Sequence, residues 1–238
     1  MTAALLDFQE RAAAQVAERY ARHAAGRDAK EGAIPLPFMQ AFAAVTQSGK
    51  TVVLAEAVAR VQAAMAVKPV VLWLSRGRVA AQKSWGGLQA GRRHRALLDD
   101  VSVRLLADLD AADLTDARST VLYFATVDTF GRVGTEQTLF SVSTSDFSAL
   151  DDALLDVLRR RRGAGGVRRP LLLVYDEAHP LGHVQTERLL SLEPDLILLA
   201  STTMELPAGI ARVAARLRAA GWRDSDLTTI PRLARPGA

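Results

Sequence analysis

Not one of the 238 residues is a cysteine, which excludes disulfides and thiolate metal sites and suits a reducing compartment. Long apolar runs are missing as well. The longest, such as Val70–Leu74 and Leu171–Tyr175, fall far short of the ~20 residues a membrane-spanning helix needs. The amino terminus has no basic stretch, and Asp7 and Glu10 lie inside any would-be signal, so secretion is not expected and a cytoplasmic location is. Histidine is scarce. Of the four, only His179 and His183 are close in sequence, and without a third ligand that pair does not make a zinc site. Acids are absent from two stretches: six Lys/Arg stand between Arg76 and Leu98, and six arginines between Arg159 and Arg169. Each run reads equally well as a solvated loop or as a polyanion-binding surface.

What is present is the composition of a globular domain, 49% hydrophobic and 24% charged, with enough chain for one core. The net charge of +4 permits nucleic-acid binding without requiring it. Leu5, Phe8, Ala12 and Val16 recur at helical spacing, and a Gly- and Pro-containing connection from Gly26 to Pro37 ends that helix. Strands are then expected at Phe38–Ala44, Val70–Ser75, Val101–Leu106, Val121–Ala125, Leu171–Tyr175 and Leu196–Ala200. Helices are expected at Thr51–Val67, Arg78–Ala90, Gln185–Leu192 and Ala208–Ala220. Short apolar runs alternating with helices predict an α/β fold, a mostly parallel sheet with helices on both faces. Ligands of such sheets sit beyond the carboxyl ends of the strands, and Ser48–Thr51, Thr126, Asp176–His179 and Ser201–Thr203 all follow predicted strands. Residues 131–170 fit the scheme least and read as an irregular, partly mobile insertion.

Two segments carry the chemistry. Ala44-Val-Thr-Gln-Ser-Gly-Lys-Thr51 has the form of a phosphate-binding loop. Backbone N–H groups around Thr46, Gln47, Ser48 and Gly49 would wrap a phosphate, and the positive end of the following helix would face it. Lys50 would neutralise the β- and γ-phosphates, a binding and a catalytic role, and the Thr51 hydroxyl would ligate Mg²⁺. In Leu171-Leu-Leu-Val-Tyr-Asp-Glu-Ala-His179 a buried strand delivers two adjacent acids to the same rim. Asp176 would hold the metal and Glu177 would act as general base. Trp73 reads as core, whereas Trp85 and Trp222 suit packing and base stacking equally.

Asp176-Glu-Ala-His179 resembles the acidic motif of the DEAH-box group in helicase superfamily two, and Ala44–Thr51 resembles that superfamily's phosphate loop. Phe8–Gln9 is similar to its adenine-reading glutamine, and Val71–Gln82 to its first nucleic-acid-contacting motif. Phe124–Phe130 is similar to the threonine motif on the strand backbone, and Ser201-Thr-Thr203 to the Ser-Ala-Thr motif that couples hydrolysis to strand movement. The nearest look within the superfamily is the restriction subunit of type III restriction enzymes. The resemblance implies a RecA-like first motor domain spanning residues 1–238, MgATP hydrolysis, and nucleic acid, expected to be DNA, as partner. It implies ATP contacts from Gln9, coupling through His179, Ser201 and Thr203, and nucleic-acid contacts from Arg76, Arg78, Lys83 and Thr126.

Three departures stand out. Gln47 replaces a usual glycine and Thr202 a usual alanine. Only 35 residues follow Thr203, too few for the second motor domain and its arginine finger, so ATP turnover by this chain alone is expected to be very weak. The alternative is a nucleotide-binding interaction module without productive turnover.

Overall fold

The computed structural model describes residues 5–27, 36–43, 48–89, 94–130, 156–163, 166–176, 178, 181–202 and 205–229. Helix α1 (Asp7–Arg27) precedes β1 (Phe38–Ala43), α2 (Lys50–Ala63), β2 (Val70–Ser75), α3 (Arg78–Leu88), β3 (Val101–Leu105), α4 (Ala111–Thr115) and β4 (Thr120–Thr126). Then come β5 (Leu171–Asp176), α5 (His183–Ser191), β6 (Leu196–Ser201), α6 (Ala208–Ala219), α7 (Asp224–Leu227) and β7 (Thr228–Thr229).

The strands form one seven-stranded sheet in the order β3-β4-β2-β5-β6-β1-β7, and every pairing is parallel. All residues of β2, β4, β5 and β6 are buried. Both faces of these strands are therefore covered, which is why they read as continuous apolar runs instead of alternating ones. From β1 the chain steps across the sheet to β2 and on to β3, then turns back through β4, β5, β6 and β7. Right-handed crossovers place α2 and α3 on one face and α4, α5 and α6 on the other. The packing agrees: α2 crosses β6 and β5, α1 lies on α2, and α5 lies on α6. Gly209 makes that last approach possible, since a Cβ there would stand 2.3 Å from Thr186 Cγ2.

The expected α/β architecture is observed, with a few shifted ends. Helix α2 stops at Ala63, short of the expected Val67. Pro69 disfavours a helical Lys68, whose N–H instead donates to the Ala117 carbonyl and whose ammonium donates to the Gln62 carbonyl. Three short elements had no sequence expectation. Helix α4 is started by Asp110, whose carboxylate accepts from the Ala112 N–H. Helix α7 is opened by Arg223, whose N–H and guanidinium donate to the Asp226 carboxylate, and the two-residue β7 is too short for any periodicity. Trp73 is core, tilted against Phe124 at 5.4 Å. Trp222 packs on Phe38 at 4.8 Å, with the Arg22 guanidinium 4.4 Å over its ring. No helix among the described residues is long and apolar enough to cross a membrane.

Neither reading of Arg159–Arg169, solvated loop or polyanion-binding surface, holds at two of its arginines. Arg159 and Arg160 do face solvent beside Asp156, but Arg161 and Arg169 are 1% and 0% exposed. Between them the chain doubles back, Arg162 bridging Arg168 in antiparallel fashion. Gly166, at φ 79°, closes this turn. Arg161 donates to the carbonyls of Leu158, Leu192, Glu193 and Arg169. Arg169 donates to those of Lys68, Pro69, Asp113 and Ser119. Burial, helped by Arg168 and opposed by Asp195 and Glu193, brings the Arg161 guanidinium down to about 10, so it stays charged at neutral pH. The acceptors cluster where helices end and strands begin, at the amino rim of the sheet.

Candidate functional site

Because all the strands run one way, their carboxyl ends share one rim. The register sets Thr126, Ser75 and Asp176 side by side on β4, β2 and β5, while Ser201 of β6 pairs with Ala43 of β1. Strand β6 lies between β1 and β5, leaving a strand's width between the loop after β1 and the acid that ends β5.

That gap is closed by side chains. Thr51 Oγ1 donates to Asp176 Oδ2 at 2.7 Å, across 125 residues of sequence. Asp176 is 2% exposed, and a carboxylate so placed needs donors or a cation around it. Ser84 of α3 supplies a second donor to the same oxygen at 3.1 Å. Gly49 caps α2 in the left-handed region, φ 79° and ψ 33°, a conformation that costs other residues about 1–2 kcal/mol. The Gly49 carbonyl accepts from the Val52 and Val53 N–H groups, forming the first turn. The first turn of α2 contains no acid, and no side chain caps it. The end of the helix therefore keeps its positive potential for an anion.

Gln9 reaches this corner from α1. Its Nε2 donates to the Ser48 carbonyl at 3.2 Å and its Oε1 accepts from the Leu6 N–H at 3.0 Å. With 7% of its surface exposed, the amide holds the amino-terminal segment to the loop, and both of its ends are engaged by the protein. Lys50 opens α2, half-buried beside Thr51. Ser201 is buried at the end of β6, and the Ala178 N–H donates to the Ala200 carbonyl at 2.6 Å, drawing the chain after Asp176 toward that strand.

The expected nucleic-acid residues divide. Arg76 and Lys83 are exposed and form no ion pair among the described residues. Thr126 is 4% exposed, its hydroxyl 3.4 Å from that of Thr129, so in this conformation it is turned away from any strand backbone. Arg76 also lines an opening of about 350 Å³ with Val127, Asp128, Tyr175, Leu181 and Gln185. Thr46, Gln47, Glu177, His179 and Thr203 lie outside the described residues, as does the side chain of Arg78. Ser84 had no sequence signal, since which face of α3 meets β5 depends on how the crossover packs.

The chain matches no family model, no curated protein and no solved structure. What the site can do must follow from its chemistry. Among the described residues no group of three or more His, Asp or Glu could hold a metal. A hydroxyl and a carboxylate in contact form a hard oxygen pair that suits Mg²⁺, an ion that keeps waters and takes most of its remaining ligands from substrate phosphates.

Proposed function

We propose that this rim binds MgATP and that the chain is a RecA-like P-loop ATPase domain. The observation that carries the proposal is the Thr51–Asp176 hydrogen bond of 2.7 Å beside a left-handed Gly49 at the head of α2. Two segments that each suggest phosphate chemistry in sequence thus meet at one point. Asp176 and the Thr51 hydroxyl oxygen are the groups that would hold the ion, and bound Mg²⁺ would offset the charge of the phosphate oxygens. Lys50, the first residue of α2, is the group that would bring an ammonium to the phosphates. Glu177, next along the chain, is the group to accept a proton from an attacking water.

The same reading extends to the motor domain of a superfamily-two, DEAH-type helicase or translocase acting on nucleic acid, DNA first. Its support is the exposed pair Arg76 and Lys83 on the rim that carries the nucleotide corner. The burial of Thr126 favours the second reading, a nucleotide-binding interaction module that does not grip a strand at that position.

Calorimetric titration of MgATP into the wild-type chain and into Lys50→Ala tests the nucleotide reading. A charge-assisted contact contributes about 1.5–3 kcal/mol, so the variant is expected to bind at least tenfold more weakly. Equal affinity for both proteins would remove Lys50 from the site and the proposal with it. Because turnover by this chain alone is expected to be very weak, the salt dependence of oligonucleotide binding is what distinguishes a motor domain from the module.

A further inference from the structure

Asp176 receives one hydroxyl more than nucleotide binding requires. The Oδ2 that accepts from Thr51 also accepts from Ser84 at 3.1 Å. A carboxylate oxygen has two acceptor sites, so these donors, one from α2 and one from α3, account for both sites on Oδ2. The acid is thereby tied to both helices. Helix α3 starts two residues after Arg76, and Lys83 is the immediate neighbour of Ser84. Successive helical residues point about 100° apart. One turn of α3 thus presents Ser84 to the buried acid and Lys83 to solvent.

We propose that Ser84 is a positioning residue that ties α3, with its exposed Lys83 and the Arg76 just before it, to Asp176. A phosphodiester strand bound along Arg76 and Lys83 draws on α3 as a rigid element. The displacement reaches Asp176 through the Ser84 hydroxyl, and a nucleotide bound at Lys50 and Thr51 acts back along the same path. This inference rests on the nucleotide reading above, and reciprocity is its signature, since two coupled ligands must change each other's affinity by the same factor.

The test is a titration of a fluorescent ATP analogue with Mg²⁺, with and without saturating oligo(dT), and the converse titration of oligo(dT). Wild type, Ser84→Ala and Ser84→Thr are compared. In the wild type each ligand should shift the affinity of the other by the same factor, on the order of five-fold or more. In Ser84→Ala each ligand alone should bind within about threefold of wild type while that factor falls toward one, because a single hydrogen bond is removed and the groups that hold either ligand are untouched. Ser84→Thr, which keeps the hydroxyl, should restore the factor. A wild-type factor in Ser84→Ala overturns the proposal. So does loss of both individual affinities together, which would mark Ser84 as merely structural. If the wild type binds no analogue, the nucleotide reading fails and carries this inference with it. If it binds the analogue but oligo(dT) changes nothing, only the coupling falls.

Discussion

The two rims of the sheet are built from opposite chemistry. At the carboxyl rim stand a glycine in the left-handed region, two hydroxyls and a buried carboxylate. At the amino rim two buried guanidinium groups each gather four backbone carbonyls. The winding of the chain explains the difference. In a parallel sheet every crossover helix starts near the carboxyl rim and ends near the amino rim. The first therefore collects unpaired N–H groups and positive helix ends, and the second collects unpaired carbonyls and negative ones. Anions belong at the first, and a five-donor cation belongs at the second. Glu193 shows how closely the amino rim is held. It adopts a positive φ of 52°, and its carbonyl accepts from both Arg161 and Arg168.

If the rims divide function from stability in this way, substitutions at each should have different signatures. The largest effect is expected from Arg169→Met. It leaves four backbone carbonyls, that of Pro69 fully buried, without this donor and should destabilise the fold by about 3 kcal/mol, read as a lower midpoint in urea. The folded fraction should bind MgATP as the wild type does. A loss under about 1 kcal/mol, the net worth of one ordinary hydrogen bond, would break the comparison.

Gly49→Ala should separate the two quantities in the other direction. The left-handed backbone costs about 1–2 kcal/mol with a side chain present, and a Cβ would stand 2.3 Å from Gln9 Nε2. The urea midpoint should fall modestly, while MgATP affinity measured by calorimetry falls tenfold or more as the loop is displaced. Unchanged affinity would mean that the loop geometry does not serve a phosphate.

The smallest effect on stability belongs to the double variant Arg76→Ala with Lys83→Ala. Both side chains are exposed, so stability should stay within about 0.5 kcal/mol of wild type. The salt dependence of oligonucleotide binding should sharpen the picture instead, its slope falling by about two, one for each phosphate no longer neutralised. A slope unchanged from wild type would favour the interaction module over the motor domain.

Much of this protein could be read before folding. The apolar runs at Val70–Ser75, Leu171–Asp176 and Leu196–Ser201 announce themselves because a strand buried on both faces has no solvent side to encode. Gly49-Lys50-Thr51 and Asp176 were legible for a related reason: glycine, lysine and a carboxylate directly after such strands have few other uses at a sheet rim. Local composition carries that information, since it concerns a residue and its neighbours in sequence.

Tertiary structure decided what depends on distant partners. That Arg161 and Arg169 are interior while Arg159 and Arg160 are solvated is invisible in a run of identical residues, because the difference lies in which carbonyls the fold brings within reach. Burial of Thr126, engagement of both ends of the Gln9 amide, and the arrival of Ser84 at Asp176 are of the same kind. Strand order and helix packing bring Gln9 to Ser48 across 39 positions and Ser84 to Asp176 across 92. The sequence by itself determined which residues could do chemistry on a phosphate; the packing of α1, α2 and α3 against the parallel sheet decided which of them meet.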